Sequence, residues 1–368
     1  MAIFLFRAWA LIFCAGFAVR SFILPVHSIP NNQPRNIRPL QVFSGGSMSW
    51  EQIKDEFSNC GHLFGYGVEG HVPSVLQNIT AQRKKDVEEQ MEKVSEEELT
   101  DMAAEFEDKY GGPLNLFDRI QEATATEDLE EEGGDIAIAC EFKRASPSKG
   151  DINLELDPGE QAVRYAAGGA AVLSVLTEPA WFKGSLQDLR AARRAAQGLL
   201  GARRRPAVLR KDFVVDPYQV LEARAWGADT LLLMVSCLPV NDLWHLLSYA
   251  RSLGMEPLVE VATPEEMDIA LDVGARVIGV NNRNLHDMSL DPARTELCAA
   301  RAAKRGKRWG PGGDFALCSL SGIFSREDME RYRDVGCSLA LVGEALMRAP
   351  DPRATLRELL GKGGGGGG

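Results

Sequence analysis

Short apolar runs alternate with amphipathic segments along most of this chain, and this alternation restricts its fold more than any other feature. From residue 136 onward, each run rich in apolar and β-branched residues is followed by a segment whose apolar residues recur at helical spacing. Strands separated by helices pair in parallel, because the connection has to cross back over the sheet. The predicted strands are Ile136–Lys143, Ala171–Thr177, Ala207–Phe213, Thr230–Val235, Glu256–Val261, Val277–Asn281, Phe315–Ser319 and Ser338–Val342.

The segments between these strands are predicted to be helices, and three of them end in similar phrases. WGAD, VGAR and VGCS place Gly227, Gly274 and Gly336 where a left-handed cap would end a helix just before a strand. Eight strand–helix units predict an α/β protein with a (β/α)8 TIM barrel. A doubly wound open sheet is the alternative, but no GxGxxG sequence follows the first strand. The predicted helices are Gly159–Ala167, Leu186–Gln197, Tyr218–Trp226, Val240–Ser252, Pro264–Val273, Pro292–Lys304, Arg326–Val335 and Arg353–Leu360.

The amino-terminal part differs in composition from the rest, and it sets the predicted domain boundaries. Residues 2–19 are apolar except for Arg7, and no acidic residue occurs before Glu51. This pattern resembles a signal core followed by a transit-like stretch, as in the two-part plastid address of algae with complex plastids. A plain secretory signal or a single membrane anchor is the alternative. We therefore expect a targeting segment at 1–50, a linker of unknown role at 51–71, the barrel with its amino-terminal helices at 72–362, and a glycine tail at 363–368.

Within the barrel region, residues 72–120 form an acidic helical extension, and Ser95 with the glutamates that follow it forms a capping box that opens a helix toward Phe106. We expect no stable membrane span in the mature protein.

Composition excludes several classes of function. A net charge of −11, with no stripe of Lys and Arg among aromatic residues, argues against binding to nucleic acid. The seven cysteines occur singly and the five histidines show no ligand spacing, so we expect reduced core thiols and no structural metal.

The first predicted strand carries charge at its carboxyl end. Ala137, Ala139, Glu141 and Lys143 share one face, and a face that changes from small residues to a carboxylate and an ammonium is typical of a barrel lumen near its mouth. The alternative is an edge strand with a solvated Glu–Lys pair.

Other predicted strand ends carry polar groups on the same side of the barrel. Lys211 ends the third strand, Glu260 the fifth, and Asn281 with Arg283 the sixth. Gly322 and Gly343 begin the loops after the last two strands, where backbone N–H groups at a helix start can bind a phosphate.

These residues in this order resemble the indole-3-glycerol-phosphate synthase family of tryptophan biosynthesis, from about Val72 to Leu360. The motifs that carry the resemblance are EFKRASPSKG (141–150), LSVLTEPAWFKGS (173–185), LRKDFVVDPYQ (209–219), GADTLLLMV (227–235), MEPLVEV (255–261), IGVNNRNL (278–285) and LVGEALMR (341–348). The resemblance implies a carboxy-lyase that needs no cofactor or metal and acts on a small phosphorylated aromatic substrate. It also implies association with other enzymes of the tryptophan pathway.

The resemblance also implies residue roles. Lys211 would be the general acid and Glu260 a second acid or base, while Lys143, held by Glu141, would bind an anionic group of the substrate. The remaining residues would surround the substrate: Ser146, Asn281 and Arg283 beside the reacting groups, Phe182, Phe213 and Leu232 along the anthranilate ring, and Ser321, Gly322, Gly343 and Glu344 at the phosphate.

The sequence departs from the family pattern at two places. Leu320 occupies the position where the family usually has Glu, and the basic stretch Lys304–Gly313 is an insertion that we expect to form a surface loop. Loss of that Glu suggests an alternative function, in which the barrel binds the ligand as a partner or scaffold protein but catalyses poorly. Another phosphate-binding barrel, such as a sugar isomerase, is a third possibility.

Overall fold

The computed structural model describes residues 75–125, 136–284, 288–310 and 312–361. The predicted targeting segment at 1–50, the linker at 51–71 and the glycine tail at 363–368 lie outside the described residues.

Eight parallel strands close into a barrel, as predicted. Each strand pairs with its neighbour in sequence, and β1 closes the ring by pairing with both β2 (Ala139 opposite Val172) and β8 (Ala137 opposite Leu339). The chain therefore folds as a TIM barrel, and the solvated edge strand considered for Glu141 and Lys143 is wrong. The strands are β1 (Ala137–Phe142), β2 (Val172–Leu176), β3 (Ala207–Lys211), β4 (Thr230–Met234), β5 (Leu258–Val261), β6 (Val277–Asn281), β7 (Ala316–Leu320) and β8 (Leu339–Val342).

Alternate residues of these strands pack into two different apolar clusters. In β1, Ala137 and Ala139 belong to the cluster inside the barrel, whereas Ile138 and Cys140 pack against the surrounding helices. Two-residue periodicity produces this division, and the predicted faces are confirmed. Small side chains inside the barrel leave room at the mouth for the longer charged ones that follow.

Helices alternate with the strands around the outside of the barrel. Asp157, Ser185, Asp216, Thr263 and Ser325 cap the first turns of the helices that follow them, each by accepting a backbone N–H. The helices are α1 (Val75–Met91), α2 (Glu96–Tyr110), α3 (Leu116–Thr124), α4 (Pro158–Gly168), α5 (Leu186–Arg204), α6 (Pro217–Ala225), α7 (Val240–Ser252), α8 (Pro264–Asp272), α9 (Ala293–Lys304), α10 (Arg326–Asp334), α11 (Glu344–Arg348) and α12 (Pro352–Leu359).

The three repeated phrases end their helices as expected. Gly227, Gly274 and Gly336 all have positive φ, at 91°, 77° and 89°. Only glycine adopts this conformation without strain, which explains the shared phrase. The predicted capping box is also present, since Ser95 and Glu98 each bond the other's backbone N–H.

The amino-terminal helices cover both ends of the barrel. In α1, Thr80 contacts Cys237 just past β4, and Arg83 binds Asp212 just past β3, so α1 lies at the carboxyl ends of the strands. At the other end, the Phe117 ring of α3 lies 4.1 Å from the Arg276 guanidinium, just before β6. Leu76 and Ile79 of α1 and Leu116 and Ile120 of α3 join the inner apolar cluster.

The basic insertion before β7 was expected to be a surface loop, but one of its side chains packs against the barrel. Trp309 packs against the Phe315 ring at 6.0 Å between centroids and donates from Nε1 to the Val335 carbonyl at 3.0 Å. A half-buried aromatic side chain therefore ties this insertion to the end of α10. Among the described residues, no helix is both long enough and apolar enough to cross a bilayer.

The cysteines described in the barrel core are reduced, as predicted. The buried free thiols are Cys140, Cys298, Cys318 and Cys337.

Candidate functional site

One cavity opens at the carboxyl ends of the strands, and all fourteen predicted site residues line it. They come from β1, β3, β4, β5 and β6 and from the loops after β1, β2, β3, β6, β7 and β8. Convergence of side chains from so many strands at this end is how barrel enzymes build an active site.

Glu141 and Lys143 form a close ion pair at the end of β1. Lys143 Nζ lies 2.5 Å from Glu141 Oε2, and Glu141 is only 4% exposed. Burial by itself would raise the pKa of Glu141, but the charges of Lys143, Lys211 and Arg283 outweigh it and hold the pKa below its ordinary value. Glu141 therefore stays ionised and fixes the Lys143 ammonium beside the cavity.

Gly343 makes room for this ion pair from across the β1–β8 seam. A Cβ built on Gly343 would lie 2.4 Å from Glu141 Oε2 and 3.4 Å from Lys143 Nζ. Its backbone φ is −114°, which any residue can adopt, so the requirement for glycine is purely one of space. The glycine predicted to approach phosphate thus also makes space for a charged pair.

Lys211 and Glu260 approach each other over the middle of the cavity. Lys211 Nζ lies 3.8 Å from Glu260 Oε2, and the two side chains are 18% and 4% exposed. The other oxygen, Glu260 Oε1, accepts a hydrogen bond of 2.9 Å from Asn281 Nδ2. Asn281 Oδ1 in turn accepts from the Arg283 backbone N–H at 2.9 Å. Glu260 is thus held on one oxygen, while the other faces an ammonium.

An apolar wall faces these charges. The rings of Phe182 and Phe213 lie 6.1 Å apart between centroids, and Leu232 joins Phe213 in the inner cluster. The buried carboxylate of Glu178 holds the loop that carries Phe182, because it accepts the backbone N–H groups of residues 180, 181 and 182 at 2.7–2.9 Å. The wall is therefore rigid enough to orient a flat ring.

The loops after β7 and β8 form the remaining side of the cavity. Ser321 and Gly322 both have positive φ, at 69° and 77°, which turns the chain sharply at the end of β7. Across from them, Glu344 pairs with Lys149 of the β1 loop at 3.5 Å between Oε1 and Nζ. Consecutive residues in the left-handed region expose backbone N–H groups, so this side suits an anion.

A buried ion network lies next to Lys211, and no sequence pattern predicted it. Arg83 of α1 donates Nε and Nη2 to the two oxygens of Asp212, both at 3.0 Å, and Thr177 donates to Asp212 at 2.6 Å. Burial by itself would raise the pKa of Asp212, but Arg83 and Arg210 outweigh it and lower that pKa. Asp212, which follows Lys211, is therefore fixed both to α1 and to the residue just after β2.

Leu320 faces the lumen, as its spacing predicted. It is 2% exposed, lies opposite Asn281 in the β6–β7 pairing, and its Cδ1 would be 2.6 Å from a Cβ on Gly279. Leu320 therefore forms a closely packed apolar floor beneath the charged groups.

No group of three or more His, Cys, Asp or Glu side chains that could hold a metal ion occurs within residues 75–125, 136–284, 288–310 and 312–361.

Comparison with known proteins identifies the family. The family model described as indole-3-glycerol phosphate synthase matches residues 76–359. An indole-3-glycerol phosphate synthase of Streptomyces griseus is 37% identical over 290 residues, covering 79% of this chain and 96% of that protein. One of Kineococcus radiotolerans is 44% identical over 236 residues, covering 64% and 79%.

A multifunctional tryptophan biosynthesis protein of Phanerodontia chrysosporium is 47% identical over 290 residues, covering 78% of this chain and 34% of that protein. The chain thus spans about a third of the length of such multifunctional relatives. The alternative of a catalytically impaired barrel that binds the ligand as a partner or scaffold finds no support in these matches. This chain belongs to the indole-3-glycerol phosphate synthase family.

Proposed function

We propose that this protein is an indole-3-glycerol-phosphate synthase, which closes the ring of 1-(2-carboxyphenylamino)-1-deoxyribulose 5-phosphate with loss of CO2 and water. The observation that carries the proposal is the approach of Lys211 and Glu260 to 3.8 Å inside a cavity with an apolar wall on one side and two turn-forming loops on another. A substrate with an aromatic end and a phosphate end matches that division.

Lys211 would act as the general acid of ring closure. When the ring carbon that bears the carboxylate attacks the ribulose carbonyl carbon, the electron pair of the C=O bond moves to oxygen, which needs a proton. Lys211 is mostly buried at the end of β3, where the adjacent Asp212 is fixed by Arg83. A fixed ammonium lowers the entropic cost of proton transfer because it is already in place.

Glu260 would act in the later steps. Ring closure leaves a cationic iminium that accepts the electron pair of the breaking carbon–carboxylate bond, so CO2 leaves without a cofactor. Dehydration then requires a base for a carbon-bound proton and an acid for the departing hydroxyl. Glu260 has one oxygen without a hydrogen bond from any described residue, and that oxygen faces Lys211, which suits such an exchange.

The other residues would bind and orient the substrate. Lys143, held by Glu141, offers a positive charge to the substrate carboxylate until CO2 departs, with Ser146, Asn281 and Arg283 nearby. Phe182, Phe213 and Leu232 would contact the anthranilate ring. Ser321, Gly322, Gly343 and Glu344 would hold the phosphate, mainly through backbone N–H groups.

A turnover assay tests this function. The purified barrel should convert the substrate to indole-3-glycerol phosphate, and Lys211→Met should lower kcat by at least about a hundredfold with the fold intact. The matched control is Lys109→Met, which removes an exposed ammonium from α2 and should leave kcat unchanged. Absence of turnover in the unaltered protein, together with failure to complement a tryptophan-requiring host lacking this step, would refute the proposal.

Two further aspects of the proposal concern cellular context. The acid-poor composition of residues 1–50 supports plastid targeting, which a fluorescent fusion of those residues would test against a secretory or membrane-anchored location. The multifunctional relatives support association with other tryptophan-pathway enzymes, which cross-linking in cell extract followed by identification of the captured proteins would test.

A further inference from the structure

A fully buried amide lies behind the loop after β7. Asn282, next to Asn281 in sequence, is 0% exposed, and its side chain points out of the barrel toward α9 and α10. Its Nδ2 lies 3.0 Å from Ser319 Oγ, 3.1 Å from Tyr332 Oη, and 3.3 Å from each of the Leu320 and Ser321 carbonyl oxygens. One side chain therefore connects the end of β6 to the turn at the end of β7.

A hydroxyl also holds this amide at its other end. Thr295 Oγ1 of α9 donates to Asn282 Oδ1 at 2.8 Å. The Leu320 and Ser321 carbonyls can only accept, so the NH2 group has to face them and the Thr295 hydroxyl donates to the oxygen. The backbone N–H of Asn282 also donates to the Leu320 carbonyl at 2.9 Å.

The turn that Asn282 contacts is strained. Ser321 has a φ of 69°, a left-handed conformation that is unfavourable for an L-residue, and Gly322 continues it with a φ of 77°. Such a conformation persists only where surrounding contacts hold it. The bonds from Asn282 to the carbonyls of Leu320 and Ser321 are contacts of this kind.

Fixing the carbonyls also fixes the N–H groups. In a planar trans peptide the C=O and the N–H point in opposite directions. The Leu320 and Ser321 carbonyls point toward Asn282, so the N–H groups of Ser321 and Gly322 point away from it. Both residues line the cavity, whereas Asn282 does not.

We propose that Asn282 is a positioning residue that holds the Ser321–Gly322 turn so that its N–H groups face the substrate phosphate. Asn282 does not itself line the cavity, so it acts only through the turn. This inference rests on the proposed function for the identity of the anion, but the geometry that it describes belongs to the protein alone. Its effect falls on binding of the phosphate, not on the proton transfers at Lys211 and Glu260.

The test compares Asn282→Ala with Ser319→Ala. The first variant removes the bonds to the turn, whereas the second removes one hydrogen-bond partner of the same amide and leaves both carbonyl contacts in place. We expect Asn282→Ala to raise KM about tenfold while kcat changes less than about threefold. Ser319→Ala should leave both parameters near their original values.

Titration with inorganic phosphate separates this inference from the proposed function. Phosphate should bind the unaltered protein, and Asn282→Ala should weaken that binding by a factor similar to the rise in KM. If the unaltered protein turns over no substrate but the phosphate result holds, the proposed function fails and the inference stands. If Asn282→Ala does not fold, Thr295→Val replaces it as the test. This variant removes the hydrogen bond to the Asn282 amide oxygen and should shift KM and phosphate affinity in the same direction by about two- to threefold.

Three results would overturn the inference. The first is an Asn282→Ala variant, or its Thr295→Val substitute, with unchanged KM and unchanged phosphate affinity. The second is an equal effect from Ser319→Ala. The third is an unaltered protein that does not bind phosphate at all.

Discussion

Replacing Gly343 by alanine adds one methyl group at a point where the backbone accepts any residue. The new Cβ would lie 2.4 Å from Glu141 Oε2, whereas nonbonded carbon and oxygen atoms require roughly 1 Å more. Because φ at Gly343 is −114°, the substitution adds no backbone strain, and any effect comes from displacement of the carboxylate. Glu141 is 4% exposed but borders the cavity, so we expect its carboxylate to turn away from the new methyl group and lose its contact with Lys143.

The size of the effect follows from the bond that is lost. A charge-assisted hydrogen bond such as the one of 2.5 Å between Lys143 and Glu141 contributes about 1.5–3 kcal/mol. If Lys143 serves substrate binding and the transition state, the same free energy is lost from kcat/KM, a reduction of about ten- to a hundredfold. Displacement of a site group by about 1 Å gives a reduction of similar size.

The assay is steady-state turnover of the substrate, with unfolding by urea as a check on stability. Gly198→Ala is the matched control, because it adds the same methyl group on α5 with no atom within 4 Å. Gly198→Ala should retain full activity. An unaltered kcat/KM in Gly343→Ala would show that the ion pair at the end of β1 tolerates displacement, and the role argued for Lys143 would then be wrong.

Two predictions concern stability. The pKa of Asp212 is lowered in the folded state, so its stabilising effect is present above the unfolded pKa and is lost as the pH falls through the folded pKa. Between about pH 6 and pH 3, the free energy of unfolding measured in urea should therefore fall less for Asp212→Asn than for the unaltered protein. Equal decreases in the two proteins would contradict this. Gly227→Ala would bring a Cβ within 2.4 Å of the Phe106 ring in addition to a φ of 91°, whereas Gly274→Ala, with a φ of 77°, meets no atom within 4 Å. The first should lower the free energy of unfolding by about 2–4 kcal/mol and the second by about 1 kcal/mol; equal changes would refute the steric argument.

Much of the fold could be predicted from the sequence because its signals are local. Period-two alternation in β1 assigned Ala139 to the lumen and Cys140 to the helices, and the glycine within each repeated phrase marked the end of a helix. The positions of Lys211 and Glu260 followed from their place at the ends of strands, since a closed barrel brings all such ends to one rim.

The rest depends on residues that are distant in sequence. Arg83 and Asp212 are 129 positions apart, and nothing near either residue indicates that the two would meet in a buried pair. The hydrogen bonds of Asn282 reach residues as distant in sequence as Tyr332, 50 positions further along the chain. The sequence around Asn282 shows only that it is a second amide next to Asn281. We expected Trp309 to lie in a surface loop. Its partner is the backbone carbonyl of Val335, and a backbone group cannot be recognised from the type of residue that carries it.

Helix α1 sets a limit on how this protein can be trimmed or joined to another. Val75, Leu76 and Ile79, its first turns, form part of the wall of the cavity over the strand ends. A protease that cut within those turns would leave an intact ring of strands with water entering beside the reacting groups. Engineered fusions should therefore attach upstream of Val75, where the added chain leaves the enclosure of the substrate whole.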